Sequence, residues 1–329
     1  MSQIRFITTT FGNRHVNMLL PLLFSIQKHC PDANASIYWE DILDETKQII
    51  KSAFPNFDYI DTSFDFSTDI TKRISSKTII WEYAAKQQIP TEEWLLFIDA
   101  DTLVTRDPLP LLNSINTDII ITHRNESPFL INTGVMACKG KQSASDFFSE
   151  WQKETTHILE TPELFSQAND KKLPYGGADQ MSLQKLIHYS KEQDTFSFND
   201  LTVRAIHCKF LNETYSTSVT KDTHIIHYKG GWRDIIFFGS PFTKNRPLKL
   251  SWEMYTLYIE TFRESIQHMN SKLGTSFYLH DWGVDIPFYI NTKTLTIKSP
   301  LHYEAYGAYY LAKTFFPRLK KYLKEKISN

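Results

Sequence analysis

Asp99 and Asp101 carry the plainest chemical signal in this sequence of 329 residues. They close the run Glu93-Trp94-Leu95-Leu96-Phe97-Ile98-Asp99-Ala100-Asp101. An extended chain directs residues i and i+2 to one side, which predicts that the two carboxylates stand together. Like charges so close repel, and a cation relieves them; hard oxygen donors suit Mg²⁺ or Mn²⁺. A solvated turn after a strand also uses Asp, so the pair alone decides little. Its place at the carboxyl end of a continuous apolar run favours the metal, because open α/β sheets gather their ligands there.

A second cluster is His224-Ile225-Ile226-His227-Tyr228-Lys229-Gly230-Gly231-Trp232-Arg233. In a strand His224 and His227 face opposite sides. His227 is followed by two cations, a flexible glycine pair and an aromatic. Such a group can hold a metal and a diphosphate together. His227 would bind the ion, Lys229 or Arg233 the phosphate oxygens, and the backbone N–H groups of the glycine pair would lie beside them. Asn132-Thr133-Gly134 offers an amide next to a residue that lets backbone approach a ligand, although an ordinary bulged strand reads the same. Gly176-Gly177-Ala178-Asp179-Gln180 opens a helix. Asp179 either caps that helix or, with Gln180, meets sugar hydroxyls. Asp107-Pro108 reads as a helix start.

These residues need a frame. Ile4–Thr10 is rich in β-branched residues and reads as a strand, and a helix follows from Arg14 to Lys28. Strands at 36–39, 57–60 and 94–98 alternate with helices at 44–53 and 71–88. This alternation predicts an α/β fold, a mostly parallel doubly wound sheet with flanking helices. Further strands are expected at 118–122, 129–138, 203–208 and 223–228, with helices at 143–159 and 178–188. After Gly239 the pattern changes to a helix over 249–269, a hairpin near Asn291-Thr292 and a helix from Tyr303 kinked by Pro317. The reading is therefore a catalytic domain over 1–240 and a mainly helical extension over 241–329. Neither Gly-x-Gly-x-x-Gly after the first strand nor a P-loop is present, so dinucleotide and P-loop chemistry lose their main support.

Lys+Arg is 36 and Asp+Glu is 37, a net charge of −1, which argues against a nucleic-acid partner. No segment is long enough to span a membrane, and Met18–Ile26 lacks the features of a signal peptide. The scattered Cys30, Cys138 and Cys208 fit reduced thiols and a cytoplasmic setting. The triplets at Asn34, Asn125 and Asn212 are then accidental glycosylation matches. From Lys313 to Asn329 six cations face Glu325 alone, with Phe315, Phe316, Leu319, Tyr322, Leu323 and Ile327 at helical spacing. That helix either packs on the domain or lies on the inner face of an anionic membrane.

Taken in order, Leu96-Phe97-Ile98-Asp99-Ala100-Asp101, Asp107-Pro108, Asn132-Thr133-Gly134, Asp179-Gln180 and His227-Tyr228-Lys229-Gly230 resemble the GT-A nucleotide-diphospho-sugar glycosyltransferases. The likeness is to the retaining families of glycogenin and the bacterial lipooligosaccharide α-galactosyltransferases, and it covers residues 1 to 235. It implies Asp99, Asp101 and His227 as ligands of Mn²⁺ or Mg²⁺ on the donor diphosphate. It implies Thr8, Thr9 and Thr10 near the base and ribose, and Lys77 or Arg73 at the nucleotide or phosphates. Asn132, Asp179 and Gln180 would line the sugar pocket. The donor would be a UDP-hexose and the acceptor a glycan, a lipid-linked sugar or a protein, with retention at the anomeric carbon. One departure stands out: Gly231-Trp232-Arg233 replaces the family's Lys-Pro-Trp, so either Lys229 or Arg233 would grip the diphosphate, with Gly230 and Trp232 beside it. Two rivals remain open, a sugar nucleotidyltransferase and a non-catalytic sugar-binding protein on the same fold.

Overall fold

Alternation along the central strands sets the two faces of the sheet. In β1 (Ile4–Phe11) and β4 (Trp94–Asp99), Phe6, Leu96 and Ile98 join one core while Ile7, Leu95 and Phe97 join the other. Both strands are buried on both faces, which explains the unbroken apolar run before Asp99. Further strands are β2 (Asn34–Glu40), β3 (Asp58–Asp61), β5 (Thr102–Val104), β6 (Ile119–His123), β7 (Ile131–Lys139), β8 (Thr195–Phe198), β9 (Leu201–His207) and β10 (Ile225–His227), besides a small ladder of Phe242–Thr243 with Arg246–Pro247. Eight of them form one sheet in the order β3-β2-β1-β4-β7-β6-β9-β8. The first four run parallel. β7 is antiparallel to both β4 and β6, β6 is parallel to β9, and β8 closes the edge antiparallel to β9. The computed structural model describes residues 3–13, 15–63, 72, 75, 77–87, 93–124, 129–140, 142–170, 172–214, 219–229, 242–243, 246–247, 252–284 and 293.

Helices cover both faces. α1 (Leu19–His29), α2 (Asp44–Ala53) and α9 (Trp252–Leu273) pack on the Phe6 side. α9 buries Met254, Tyr258, Phe262 and Ile266, a row at i, i+4, and lies along α1. The Phe97 side is covered by α3 (Lys77–Ala85), α5 (Gln142–Glu160) and α7 (Ala178–Leu186). There Phe97 meets Trp81 at 5.1 Å and Phe148 at 4.7 Å between ring centroids. This is the α/β architecture that the alternation predicts, with helical structure after residue 240.

The structure also departs from the sequence reading. The helix expected from Arg14 begins at Leu19, after a 3-10 turn at Val16–Met18. Pro21 fixes that start, since a residue without an N–H is tolerated only in a first turn. The last helix starts later and runs longer than 249–269. β5, β8, α4 (Leu109–Ser114), α6 (Pro162–Asn169) and α8 (Cys208–Leu211) are short, and periodicity says little over so few residues. Asp107 accepts from the Leu109 N–H at 2.9 Å, as a helix start requires. Asn212 is wholly buried, so its triplet is no glycosylation acceptor. All three cysteines are buried free thiols. No described helix is long and apolar enough to cross a membrane. The hairpin at Asn291-Thr292, the helix from Tyr303 and the basic segment lie outside the described residues.

Phe97 is fully buried on the strand that ends in Asp99. Phe97→Ala is expected to cost about 3–5 kcal/mol of unfolding free energy, read from the urea midpoint. A loss below about 1 kcal/mol would contradict this packing.

Candidate active site

The acidic pair converges by a turn and not along one extended strand. Asp99 ends β4, Ala100 and Asp101 turn, and β5 begins at Thr102. The Thr102 hydroxyl donates to the Asp99 carbonyl at 2.8 Å and tightens the turn. β5 then pairs antiparallel with β10, setting His227 opposite Thr102. The Tyr228 N–H donates to the Asp101 carbonyl at 2.8 Å, so this ladder continues into the turn itself. The result brings His227 Nε2 to 3.1 Å from Asp101 Oδ1 and 3.7 Å from Asp99 Oδ2. One ligand atom from each of the three residues lies within 4.8 Å of the others.

A row of amides decides how the imidazole faces the acids. His227 Nδ1 lies 2.8 Å from Asn212 Oδ1. Asn212 is oriented by its own amide N–H groups, which donate to Thr122 Oγ1 at 2.7 Å and the Asn132 carbonyl at 3.2 Å. Its oxygen therefore accepts, and Nδ1 is the imidazole nitrogen that donates. The lone pair of Nε2 then points at two carboxylates. Burial lowers the His227 pKa and outweighs the pull of Asp101, so a proton is a poor answer to that repulsion. Two carboxylates and an imidazole held in place by the Asn212 amide make a donor set that fits a divalent ion.

Gly134 makes room for this arrangement. β6 and β7 shift register between Ile120 and Thr122, which bulges the chain at Thr133–Gly134 beside Asp99. A Cβ on Gly134 would lie 2.2 Å from His227 Cε1 and 3.1 Å from Asp99 Oδ2. No side chain fits there. The Asn132 amide oxygen accepts from the Gly134 N–H at 3.0 Å and braces the bulge. The bulged strand and the site are thus one feature.

Lys77 anchors the other side of Asp99. Its ammonium donates to Asp99 Oδ1 at 2.8 Å and to the Thr133 carbonyl at 3.2 Å, and lies 3.9 Å from Asp179 Oδ2. It also sits 4.9 Å over the Trp81 ring. Burial works against this charge, but Asp99 and Asp179 outweigh it and raise the Lys77 pKa. Asp179 opens α7 and is buried. It accepts from the Thr133 hydroxyl, and from the Ser75 hydroxyl at 3.1 Å. Gln180 turns back to donate to the Gly176 carbonyl at 3.0 Å. Gly177, at φ +147°, leads into this helix through a backbone conformation that other residues avoid.

Along β1, Thr9 pairs with Asp99 on β4. The hydroxyls of Thr8, Thr9 and Thr10 are buried and find no hydrogen-bond partner among the described residues. Lys229 faces the acids from beyond β10, and burial together with the Arg124 guanidinium brings its pKa down to about 7. Arg73, Gly230, Trp232 and Arg233 lie outside the described residues. The structure therefore gathers Asp99, Asp101, His227, Asn132, Asp179 and Lys77 into one connected network. Sequence reasoning missed Asn212, Thr122 and Ser75. Asn212 stood out only as part of a glycosylation triplet, and its pairing across β6 and β10 leaves no local pattern.

Residues 91–232 match the family model described as nucleotide-diphospho-sugar transferase, and this stretch holds Asp99, Asp101, Asp179 and His227. No curated protein matches the sequence. Among solved structures, the glycosyltransferase GlyE of Streptococcus pneumoniae TIGR4 superposes with a TM-score of 0.51 at 13% identity, over 83% of this chain and 64% of that chain. The galactosyltransferase LgtC, in complex with donor and acceptor sugar analogues, aligns over 84% of this chain and 99% of that chain at 13% identity, with a TM-score of 0.47. Mouse xyloside xylosyltransferase 1 aligns over 69% of this chain and 97% of that one at 11% identity, with a TM-score of 0.42. Residues 91–232 thus resemble the nucleotide-diphospho-sugar transferases, and the sheet that carries them has the GT-A fold.

Proposed function

We propose that the protein moves a hexosyl group from a UDP-sugar to a glycan, lipid-linked or protein acceptor, with Mn²⁺ or Mg²⁺ held by Asp99, Asp101 and His227 and with retention of configuration. The observation that carries this reading is the convergence of those three side chains within 4.8 Å, inside the segment that matches the family model. A divalent ion held there supplies Lewis-acid neutralisation of charge on the leaving diphosphate. Lys77 fixes Asp99, and Asn212 fixes the imidazole, so the donor set is in place before substrate arrives. Lys229, and Gly230, Trp232 and Arg233 after it, would meet the phosphates. Arriving negative charge favours the ammonium form of Lys229. The unpartnered hydroxyls of Thr8, Thr9 and Thr10 would turn to the base and ribose, with Arg73 at the nucleotide. Asn132, Asp179 and Gln180 would border the sugar.

What Asp179 already does supports the proposal of retention. Its carboxylate accepts from Thr133 and Ser75 and lies near Lys77. A carboxylate so engaged is a poor base for an acceptor hydroxyl, which an inverting reaction needs. The basic segment near the end of the chain would carry the enzyme to an anionic membrane where the acceptor is lipid-linked.

A sugar-nucleotide panel with Mn²⁺ tests the reading. UDP release from a UDP-hexose is expected, with an α linkage by NMR. Formation of a nucleotide-sugar with release of pyrophosphate would favour a nucleotidyltransferase, and binding without turnover a sugar-binding protein. EDTA is expected to abolish turnover and Mn²⁺ to restore it; full activity in EDTA contradicts the metal site. Asp101→Asn keeps the shape and removes one ligand charge, with an expected loss of roughly 10²-fold or more in kcat at little change in Tm. A variant with unchanged kcat and a collapsed Tm would make Asp101 structural.

The lowered His227 pKa also sets a stability profile for the metal-free protein. The unfolded chain takes up a proton at His227 near pH 6.5, while the folded chain does so only at lower pH. Stability in EDTA is therefore expected to fall as pH drops from 6.5 towards the folded value. His227→Gln should remove that part of the slope in urea midpoints. An identical slope in the variant would contradict the buried, neutral imidazole.

A further inference from the structure

A cavity of about 470 Å³ lies beyond the carboxyl end of β1 and shares no lining residue with the acid–histidine cluster. Its size falls in the range of small-molecule sites, roughly 300–1,000 Å³. Three separate stretches build it: the segment after β1, the first turns of α2, and the segment after α9. The Asn17 amide ties the first to the last by donating to the Trp282 carbonyl at 2.9 Å. In the wall, Phe277 and Trp282 meet edge to face, with centroids 6.0 Å apart. Asn13, Glu45 and Asp281 add an amide and two carboxylates.

Large apolar side chains stand exposed close by in the chain, where solvent would normally select polar residues. Only three large hydrophobic side chains are exposed among the described residues, Leu43, Tyr83 and Tyr278. Two of them are near in sequence to lining residues, Tyr278 beside Phe277 and Leu43 two before Glu45. Tyr278 is 63% exposed, follows Phe277 and stacks on His280 at 5.6 Å, with ring planes 7° apart. Leu43 is 62% exposed and its N–H reaches the Asn13 side-chain oxygen at 3.4 Å. The aromatic walls of Phe277 and Trp282, with an exposed Tyr278 next in sequence and amides and carboxylates inside, suit one ligand chemistry well. Sugar rings lay their C–H faces on aromatic rings, and their hydroxyls pair with planar amide and carboxylate groups. Among the described lining residues two are carboxylates and none is Lys or Arg, which disfavours phosphorylated ligands.

We infer that this cavity binds the saccharide chain of the acceptor, apart from the site where the sugar is transferred. The inference rests on the glycosyl-transfer reading above. Asn13 lies four residues beyond Thr9, which pairs with Asp99, so at most about 14 Å of extended chain separates cavity and transfer site along β1. An oligosaccharide entering here would present its end to the donor while its body rests on Tyr278 and Trp282. Length of acceptor, and not only its terminal sugar, would then govern binding.

The test uses the full chain on an array of neutral and acidic oligosaccharides, with the strongest binder titrated by tryptophan fluorescence. Wild type, Tyr278→Ala and Glu45→Gln are compared, and UDP with Mn²⁺ is titrated in parallel. Both substituted residues are exposed, so the fold is not at stake. Each variant is expected to weaken glycan binding by about tenfold or more while UDP affinity stays within about twofold. No glycan bound by wild type, or equal glycan affinity in all three chains, overturns the inference. A parallel loss of UDP affinity also overturns it, because the cavity would then hold the nucleoside. A wild-type chain that binds glycan in this way but neither binds UDP nor releases it from any donor refutes the transferase reading instead, and with it the acceptor role.

Discussion

The site is organised around an electrostatic conflict. Two carboxylates and the lone pair of an imidazole converge in a partly buried space, and each repels the others. Lys77 relieves one edge of that conflict by binding Asp99. The opposite edge is left to a cation, because burial makes protonation of His227 unfavourable. Much of the surrounding structure holds this arrangement in place. The short β5–β10 ladder presses His227 against the turn at Asp101, the amides of Asn212 and Asn132 fix its tautomer, and Gly134 leaves the space it needs. Removing one strut would let the groups separate and relax, so the conflict persists only because the fold over-determines it.

The sheet supplies that rigidity. β4 lies between β1 and β7, with apolar cores on both faces, so Asp99 leaves a strand that has little freedom to shift. The antiparallel β7 brings Thr133 and Gly134 back alongside Asp99, which a purely parallel sheet would not do with so short a connection. α3 and α7 add Lys77 and Asp179 from the Phe97 side. Site residues thus come from four elements of one face and from a ladder at the sheet's end. Their spacing depends on packing more than on any single bond.

Much of this was legible in the residues. The run from Trp94 to Ile98 announced a buried strand, and its acidic end announced the site. His227, Asn132 and Asp179 were visible because polar groups beside glycine or at strand ends are costly without a task. What stayed hidden depends on distant pairing. The i, i+2 rule brought Asp99 and Asp101 together for the wrong reason, since a turn and not an extended strand does so. β5 has three residues and owes its existence to β10, more than a hundred residues later. Lys77 and Arg73 were equal candidates in the sequence, and only the third dimension shows Lys77 on Asp99. Asn212 was unreadable because its partners, Thr122, Asn132 and His227, sit on three different strands.

A single divalent-ion site on Asp99, Asp101 and His227, as proposed, needs position 134 to carry no side chain. Titration of the metal-free protein with Mn²⁺, followed by electron paramagnetic resonance of the free ion, tests it most directly. Wild type should bind one Mn²⁺ per chain. Gly134→Ala, whose Cβ would collide with the His227 ring, should stay folded and lose most of that binding, by about tenfold or more in affinity. Equal stoichiometry and affinity in the two proteins, or no Mn²⁺ bound by wild type with or without UDP, would contradict the account.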